Sequence, residues 1–370
     1  MKLKKVLVII NIHAGQGSVA ENLGMIVDTM NRAGYEVTVY STLYHGHATK
    51  LIREYGAEYP LVICSGGDGT LNEIVDGLML LPEEKRPDIG YLPAGSTNDY
   101  ASSLNLPVQP EDGIAMITQG HFRKVDVGRF NDSDYFVYVA AFGAFTEVSY
   151  NTPQSEKNLW GHQAYIIRGI QQAANIKPYH MKVTISGGDE AVLDNNFIYG
   201  MVYNANSVGG FKNLSGKPVE LDDGQLDAMF VVCPATGIEW PALLADFVTK
   251  NPQSKYILTY RAKSFHFEGD QGVDWTLDGE YGGTHSTVRI ETCHQAMSIA
   301  VPDDSVPSGG KNGEKAEAAE KQDAESRESM KEGEDPAAGG KTAGDAASGK
   351  NEEIQNEEDA AETGRADTDK

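Results

Sequence analysis

The sequence PLVICSGGDGTLNEIVDGL, residues 60–78, contains the pattern that decides the fold. Its first six residues are mostly apolar and predict a buried β-strand over residues 60–65. A glycine-rich turn follows, and after it four apolar residues recur at the spacing of one helix face: Leu71, Ile74, Val75 and Leu78. A strand that leads through a tight turn into a helix is the repeating unit of an α/β fold.

The same unit repeats through the first third of the chain. Apolar, β-branched runs precede helical patterns at residues 5–11, 36–41, 60–65 and 88–93. This alternation predicts an α/β domain with a doubly wound parallel sheet. Beyond about residue 125 the pattern becomes that of antiparallel strands, at residues 134–141, 182–185, 197–204, 226–232, 256–268, 273–277 and 287–292. Helical patterns interrupt these strands only near residues 159–174 and 239–249.

These patterns predict three segments. Residues 1–125 form the α/β domain, and residues 126–293 form a β-rich, antiparallel, sandwich-type second domain. The last apolar run, residues 294–302, either returns to the first sheet or stays with the second. Residues 303–370 contain 20 acidic and nine basic residues and no aromatic residue. Such a segment cannot bury enough apolar surface to order itself, so we expect a disordered acidic tail.

The charge balance excludes some classes of partner. The 370 residues include 54 acidic and 31 basic side chains, for a net charge of −23. Nucleic-acid binding needs a basic surface, so we expect no nucleic-acid partner. Three widely spaced cysteines give no disulfide framework and indicate a reducing compartment. No apolar stretch approaches the roughly 20 residues that span a bilayer.

Three of the predicted strands end in glycine-bearing turns: NIHAGQGS (11–18), SGGDGT (65–70) and PAGSTND (93–99). Ligands of doubly wound sheets bind beyond these strand ends. The first turn fits G-x-G-x-x-A at Gly15, Gly17 and Ala20. However, four residues separate Ile10 from Gly15, which argues against a nicotinamide dehydrogenase.

The second turn predicts a phosphate site. Gly66, Gly67 and Gly69 are expected to adopt positive φ and to bring backbone N–H groups close to a ligand. The helix beginning near Thr70 adds partial positive charge. Asp68 would repel bare phosphate, which makes sense if this carboxylate binds Mg²⁺. The alternative is an ordinary tight turn with a helix cap.

The third turn allows two interpretations of equal weight. Gly95 makes the turn, and the hydroxyl of Thr97 is available to a ligand. Asn98 and Asp99 could equally cap the following helix.

Taken together, these turns resemble the diacylglycerol kinase catalytic family, within the superfamily that includes NAD kinases. GGDGTLNEIVDGL (66–78) is the strongest match, and PAGSTND (93–99) is similar to the lipid-kinase form of the third turn. TLYHGHA (42–48), ELDDGQLD (220–227) and LDGE (277–280) also match family motifs. The resemblance covers about residues 5–302. Three residues depart from the family pattern by removing its usual proline or a basic residue: Ile12, Gln16 and Ser102.

The resemblance implies transfer of the γ-phosphoryl group of ATP to diacylglycerol, giving phosphatidic acid, with Mg²⁺ as cofactor. It assigns Glu280 as general base, Asp68 and Asp99 to the catalytic Mg²⁺, and Asp278 as a turn residue or a partner of the site. The implied ATP contacts are Asn11, Thr42, Gly66, Gly67, Gly69, Thr70, Gly95, Thr97 and Asn98. In some members a structural Mg²⁺ occupies the equivalent of Glu220, Asp223 and the Gln225 backbone.

The resemblance further implies a cytoplasmic enzyme that meets its lipid acceptor at the membrane surface, and it leaves a homodimer open. Two other functions are not excluded. One is a kinase that acts on another lipid or on a soluble alcohol. The other is a nucleotide-binding regulatory protein whose missing basic residues have cost it catalysis.

Overall fold

The computed structural model of the chain describes residues 3–14, 18–95, 97–143, 177–209, 211–212 and 218–303. All of them lie within one compact unit. The helix predicted near residues 159–174, the acidic tail beyond residue 303, and Gly15 and Gly17 of the first turn lie outside the described residues. Among the described residues, no helix combines the length and the apolarity needed to cross a bilayer.

The first part of the chain alternates strands with helices, as predicted. Its strands are β1 (Lys4–Ile10), β2 (Tyr35–Ser41), β3 (Leu61–Gly66) and β4 (Asp88–Pro93). Its helices are α1 (Ser18–Arg32), α2 (His47–Tyr55), α3 (Asp68–Met79), α4 (Asp99–Ser103) and α5 (Pro110–Gln119). The four strands pair in parallel in the order β4-β3-β1-β2. Because all four strands point the same way, β1, β3 and β4 open their three glycine-bearing turns at one edge of the sheet.

Helix α3 forms where the apolar spacing predicted a helix. Leu71, Ile74, Val75 and Leu78 are all buried. The helix packs closely on α2, because a Cβ atom on Gly77 would lie only 2.7 Å from the Thr49 carbonyl oxygen and from Ile52 Cβ. This contact fixes α3 against α2 at backbone distance.

The second part is built almost entirely of antiparallel strands. They are β5 (Phe122–Phe130), β6 (Asp134–Phe136), β7 (Val139–Gly143), β8 (Tyr179–Ser186), β9 (Ala191–Tyr203), β10 (Ser207–Val208), β11 (Phe211–Lys212), β12 (Leu226–Val232), β13 (Ile257–Ala262), β14 (Ser264–Leu277) and β15 (Glu280–Ala300). One described helix, α6 (Trp240–Thr249), follows β12. Buried aromatic rings form a core of their own here, with Trp275 4.9 Å from Phe142 and 5.0 Å from Phe267 between ring centroids.

Strand β15 joins the two parts. Its first half pairs with β14, and its end runs parallel to β4, with Ile299 opposite Ile89. Within this last run, Ile299 therefore pairs with the first sheet, and the assignment of residues 294–302 as a whole stays a prediction. The hydrogen-bonded ladder is continuous from β13 through β15 to β2.

The strands differ from the predicted ones in several places. The predicted strand 256–268 is divided into β13 and β14 at Lys263. The predicted strand 134–141 is broken at Val137 and Tyr138, whose amides bond to a side chain instead of a strand. Strand β5 is missing from the prediction, although its buried residues Val125 and Val127 alternate with Lys124 and Asp126 as in a half-buried strand.

Candidate active site

The second and third turns meet at the edge of the parallel sheet. A Cβ atom on Gly95 would lie 2.9 Å from Gly67 Cα, and one on Gly67 would lie 3.2 Å from Gly95 Cα. The Ala94 amide donates to the Gly66 carbonyl at 2.8 Å. The two backbones therefore come closer together than side chains would allow.

The predicted positive φ at the second turn is wrong. Gly66, Gly67 and Gly69 all lie outside the left-handed region, and Gly67 is extended at φ −86°. Steric crowding explains why residue 66 is glycine, because a Cβ atom there would lie 2.7 Å from Thr70 Oγ1. These glycines are needed for close approach rather than for unusual dihedral angles.

Asp68 is the first residue of α3 and is half-buried. Its Oδ1 accepts a hydrogen bond from the Tyr91 hydroxyl at 3.1 Å, and its Oδ2 accepts one from the Asp99 amide at 3.0 Å. Burial raises the pKa of Asp68 to about 6. The Asp99 amide bond lowers this pKa, whereas the charge of Asp99 raises it. Among the described residues, the main causes of this pKa shift include no basic side chain.

Asp99 connects the third turn to the second part of the chain. The carboxylate is 3% exposed and accepts hydrogen bonds from the Ser207 hydroxyl and the Gly209 amide, both at 2.8 Å. The Ser207 amide also donates to Ser103 Oγ at 3.1 Å. The carboxylate of Asp99, in the first part, thus accepts hydrogen bonds from two residues of the second part.

Asn98 does not cap α4 with its side chain. Its backbone is left-handed at φ 52°, and its side-chain amide makes two hydrogen bonds to Gly95, one in each direction. The side chain therefore stabilises the third turn. Thr97, the neighbouring predicted contact, is exposed.

The remaining predicted nucleotide contacts border the same edge of the sheet. Asn11 Nδ2 donates to Thr70 Oγ1 at 3.1 Å, which links the first turn to α3. The Thr42 amide donates to the Ile10 carbonyl at 2.8 Å, which places the residue after β2 next to the end of β1. The predicted contacts Asn11, Thr42 and Thr70 therefore lie on neighbouring elements.

Glu280 approaches this edge from the hairpin between β14 and β15. Its Oε1 lies 3.3 Å from the position that a Cβ atom would take on Gly69, the residue after Asp68. The hairpin has a two-residue turn, with Leu277 paired to Glu280. Asp278 and Gly279 both have positive φ, 49° and 87°, as a type I′ turn requires. Glu280 and Asp68, 212 positions apart, are thus brought to neighbouring places.

Asp278 is a buried acceptor of four hydrogen bonds. Its carboxylate is bonded by the amides of Val137, Tyr138 and Val139 and by Asn72 Nδ2 of α3, at 2.6–2.9 Å. Burial raises the pKa of Asp278 to about 6, although these donors oppose the shift. The residue therefore joins α3, the β6–β7 segment and the hairpin that carries Glu280. Its sequence motif showed a turn but not this role.

Another acidic residue of α3, Asp76, is absent from the predicted site. Burial, with the nearby charges of Asp278 and Asp134, raises its pKa to about 7. Its Oδ1 is buried without a hydrogen-bond partner. Asn72 and Asp76 are four positions apart on one helix, and that spacing is the only sequence signal for a shared polar face.

The Asp68–Asp99 pair fits a divalent cation. The charge of buried Asp99 raises the pKa of the half-buried Asp68 carboxylate, and a cation between the two carboxylates would relieve this repulsion. Among the described residues, no group of three or more metal-ligating side chains occurs. Magnesium bound by one or two carboxylates together with substrate phosphates needs no such group.

The second predicted ion site contains a basic side chain. Asp223 Oδ1 accepts the Gln225 amide at 2.9 Å, and its Oδ2 lies 3.8 Å from Arg261 Nη1. Arg261 also bonds to Asp227, at 3.1 Å. Since the guanidinium already supplies positive charge to these carboxylates, a divalent ion fits poorly here. The assignment of Glu220, Asp223 and Gln225 to a structural Mg²⁺ stays a prediction.

This chain is similar to known proteins of one family. The family model described as the diacylglycerol kinase catalytic domain matches residues 5–130. The diacylglycerol kinase of Bacillus subtilis (strain 168) is 30% identical over 291 residues, which is 76% of this chain and 91% of the relative. That of Staphylococcus saprophyticus is 32% identical over 285 residues, covering 76% of this chain and 90% of the relative.

A solved structure gives the same result. The crystal structure of a diacylglycerol kinase from Bacillus anthracis str. Sterne superimposes with a TM-score of 0.63 at 26% sequence identity. The superposition covers 83% of this chain and 100% of that chain. A match of that extent is longer than either the α/β part or the antiparallel part alone. The chain belongs to the diacylglycerol kinase family and is a phosphotransferase of the lipid kinase type.

Proposed function

We propose that the chain transfers the γ-phosphoryl group of ATP to the free hydroxyl of diacylglycerol, giving phosphatidic acid and ADP. The observation that carries this proposal is the approach of Glu280 Oε1 to within 3.3 Å of the Cβ position of Gly69, beside Asp68. An acid–base group and a phosphate-binding turn at that distance can act on one reacting hydroxyl. The named relatives support a lipid as the acceptor.

ATP is assigned to the edge where the three turns meet. The backbone amides near Gly66, Gly67, Gly69 and Gly95 would approach its phosphates, with the N-terminus of α3 adding partial positive charge. Four polar side chains border this place and would contact the nucleotide: Asn11, Thr42, Thr70 and Asn98. Exposed Thr97 offers one more hydroxyl.

Asp68 and Asp99 would hold the Mg²⁺ that family membership implies. When bound, Mg²⁺ neutralises charge on the transferring phosphate. The chain's own contribution is to fix the two carboxylates. Tyr91 and the Asp99 amide orient Asp68, while Ser207 and Gly209 orient Asp99.

Glu280 is assigned as the general base. It would accept the proton of the acceptor hydroxyl as that oxygen forms its bond to the γ-phosphorus and the bond to the β-phosphate oxygen breaks. The two-residue turn and the Asp278 carboxylate fix the position of the Glu280 backbone. Asp278 itself is engaged by four donors and acts as a positioning residue.

We also propose the finer organisation expected from the sequence. Right-handed connections in the order β4-β3-β1-β2 put α1 on one face and α2 and α3 on the other, which supports a doubly wound sheet. Residues 1–125 with the end of β15 would bind nucleotide, and residues 126–293 would bind lipid in a sandwich-type domain. A lipid acceptor further supports a cytoplasmic protein that visits the membrane surface, and a homodimer stays open.

One assay tests the function. The full-length chain is incubated with labelled ATP, Mg²⁺ and mixed micelles carrying diacylglycerol, ceramide, sphingosine or monoacylglycerol, with NAD in a parallel reaction. We expect label in phosphatidic acid. Label in another product would change the acceptor. ATP binding without transfer to any acceptor would contradict the kinase and support the regulatory alternative.

A further inference from the structure

Helix α2 begins without a cap of its own. The residue before it, Gly46, is left-handed at φ 82° and has no side chain, and the first turn of the helix contains no acidic residue. The first amides of a helix need acceptors, because no carbonyl of the helix itself can reach them. The start of α2 therefore depends on another element.

Glu73 of α3 supplies the missing acceptors. Its Oε1 accepts the Gly46 amide at 2.8 Å, and its Oε2 accepts the Ala48 amide at 3.0 Å. The backbone carbonyl of Glu73 accepts Thr49 Oγ1 at 2.8 Å. The side chain is only 15% exposed, so solvent competes weakly for these bonds. A carboxylate at a helix N-terminus is also favoured by the helix dipole.

The Glu73 hydrogen bonds fix the end of a chain segment that begins with Thr42, a proposed nucleotide contact. The segment from Thr42 to Ala48 runs from the end of β2 into α2, and we name it the nucleotide loop. Its beginning is fixed by the Thr42 amide on the Ile10 carbonyl. Its end is fixed by Glu73. Between them, the Leu43 amide donates to His47 Nδ1 at 3.2 Å.

Helix α3, which carries Glu73, begins within the second turn, SGGDGT (65–70), which we name the phosphate turn. Asp68 and Thr70 lie at the start of α3, and Glu73 lies one turn further along. Close packing at Gly77 prevents α3 from sliding along α2. The distance between the phosphate turn and the nucleotide loop is therefore set within one rigid helix.

We infer that Glu73 is a positioning residue that holds the nucleotide loop in its ATP-binding conformation. It does so by accepting the Gly46 and Ala48 amides, and it touches neither ATP nor the lipid. This inference rests on the proposed function in so far as Thr42 contacts the nucleotide. We name the two hydrogen bonds from the Gly46 and Ala48 amides to Glu73 the clamp. Loss of the clamp raises the KM for ATP and leaves the KM for the lipid and kcat nearly unchanged.

The test compares Glu73→Ala, Glu73→Gln and Glu54→Gln. Glu54 lies on α2 with its Oε1 3.9 Å from Lys50 Nζ, so its neutralisation controls for the lost charge. We expect the KM for ATP to rise about five- to 30-fold in Glu73→Ala, the range that a lost cap allows. Glu73→Gln retains one carbonyl acceptor and should recover part of the loss. Glu54→Gln should match the wild type.

Amide hydrogen exchange over residues 43–50 gives a second measurement that needs no catalysis. We expect faster exchange in both Glu73 variants, and Glu73→Gln, which keeps the side-chain shape, decides the test if Glu73→Ala does not fold. Unchanged exchange, or an equal loss of kcat and of affinity for both substrates, would overturn the inference. Faster exchange in a chain whose wild type transfers no phosphate would support the clamp and reject the kinase.

Discussion

Asn72 Nδ2 lies 2.9 Å from Asp278 Oδ2, although the two residues are 206 positions apart in the chain. Asn72 is on α3, one turn beyond Asp68, and Asp278 begins the turn that leads to Glu280. This hydrogen bond is therefore a direct connection between the helix of the phosphate turn and the hairpin of the general base. Three backbone amides complete the environment of Asp278.

We expect Asp278→Asn to lower the free energy of unfolding by about 2–4 kcal/mol. The amide nitrogen would face hydrogen-bond donors, whereas Asn tolerates the left-handed backbone at φ 49°. Denaturant unfolding measures the loss. Asn72→Ala removes one of the four donors and should cost only about 1 kcal/mol. Equal stability of Asp278→Asn and wild type would show that the carboxylate is not the connection described.

Gly69→Ala should separate activity from stability. The new methyl group would lie 3.3 Å from Glu280 Oε1, so the carboxylate must shift by a few tenths of an ångström. Alanine suits a helix better than glycine, so stability should be equal or higher. We expect turnover to fall about tenfold, since small displacements of reacting groups are costly.

The matched control is Gly24→Ala, because Gly24 lies on α1 and a Cβ atom there meets nothing within 4 Å. It should have normal turnover. If Gly69→Ala also keeps normal turnover, the gap between Gly69 and Glu280 is not where the reaction occurs.

Asp76→Asn should stabilise the protein at alkaline pH. The pKa of Asp76 is raised from 3.8 to about 7 on folding, mainly by burial. A raised pKa gives a stabilising contribution that is complete below pH 3.8 and is lost as the pH rises through 7. The ionised carboxylate therefore opposes folding at pH 8, by at most roughly 4 kcal/mol.

Denaturant unfolding at two pH values measures this effect. Asp76→Asn should exceed the wild type in stability at pH 8, and its advantage should shrink by more than half near pH 5. Asp132→Asn, at an exposed residue of the turn after β5, is the control and should show neither difference. A variant less stable than the wild type at pH 8 would mean that the Asp76 carboxylate stabilises the fold.

The parallel sheet could be predicted from the sequence because its signals are local. Each strand is a short apolar run, each helix shows its own periodicity, and the glycine-bearing turns mark the strand ends. The convergence of the second and third turns follows from the parallel order alone. The role of Glu280 as general base could be predicted only from the family resemblance, since an Asp-Gly-Glu turn by itself is most often an exposed hairpin.

Other features depend on distances that no local pattern contains. The four bonds to Asp278 require the register that puts Leu277 opposite Ala140, and that register is set by pairing across three strands. Glu73 looks like an ordinary helix residue until α2 is placed against α3. The glycines of the second turn suggested positive φ, yet steric crowding from Thr70 and Gly95 explains Gly66 and Gly67. Long-range packing, not residue type, decides these cases.

Glu280→Gln addresses the proposed chemistry directly. The amide keeps the size and the hydrogen-bonding capacity of the side chain but cannot accept the proton of the acceptor hydroxyl at neutral pH. General base catalysis is worth at least about 100-fold, so turnover should fall by that factor or more while ATP affinity stays nearly intact. Steady-state kinetics and direct ATP binding measure the two quantities. Glu268→Gln removes an exposed carboxylate from β14, 3.8 Å from Lys182, and should leave both unchanged. Near-normal turnover of Glu280→Gln would remove Glu280 from the role of base, whereas a matching loss of ATP affinity would assign it to nucleotide binding.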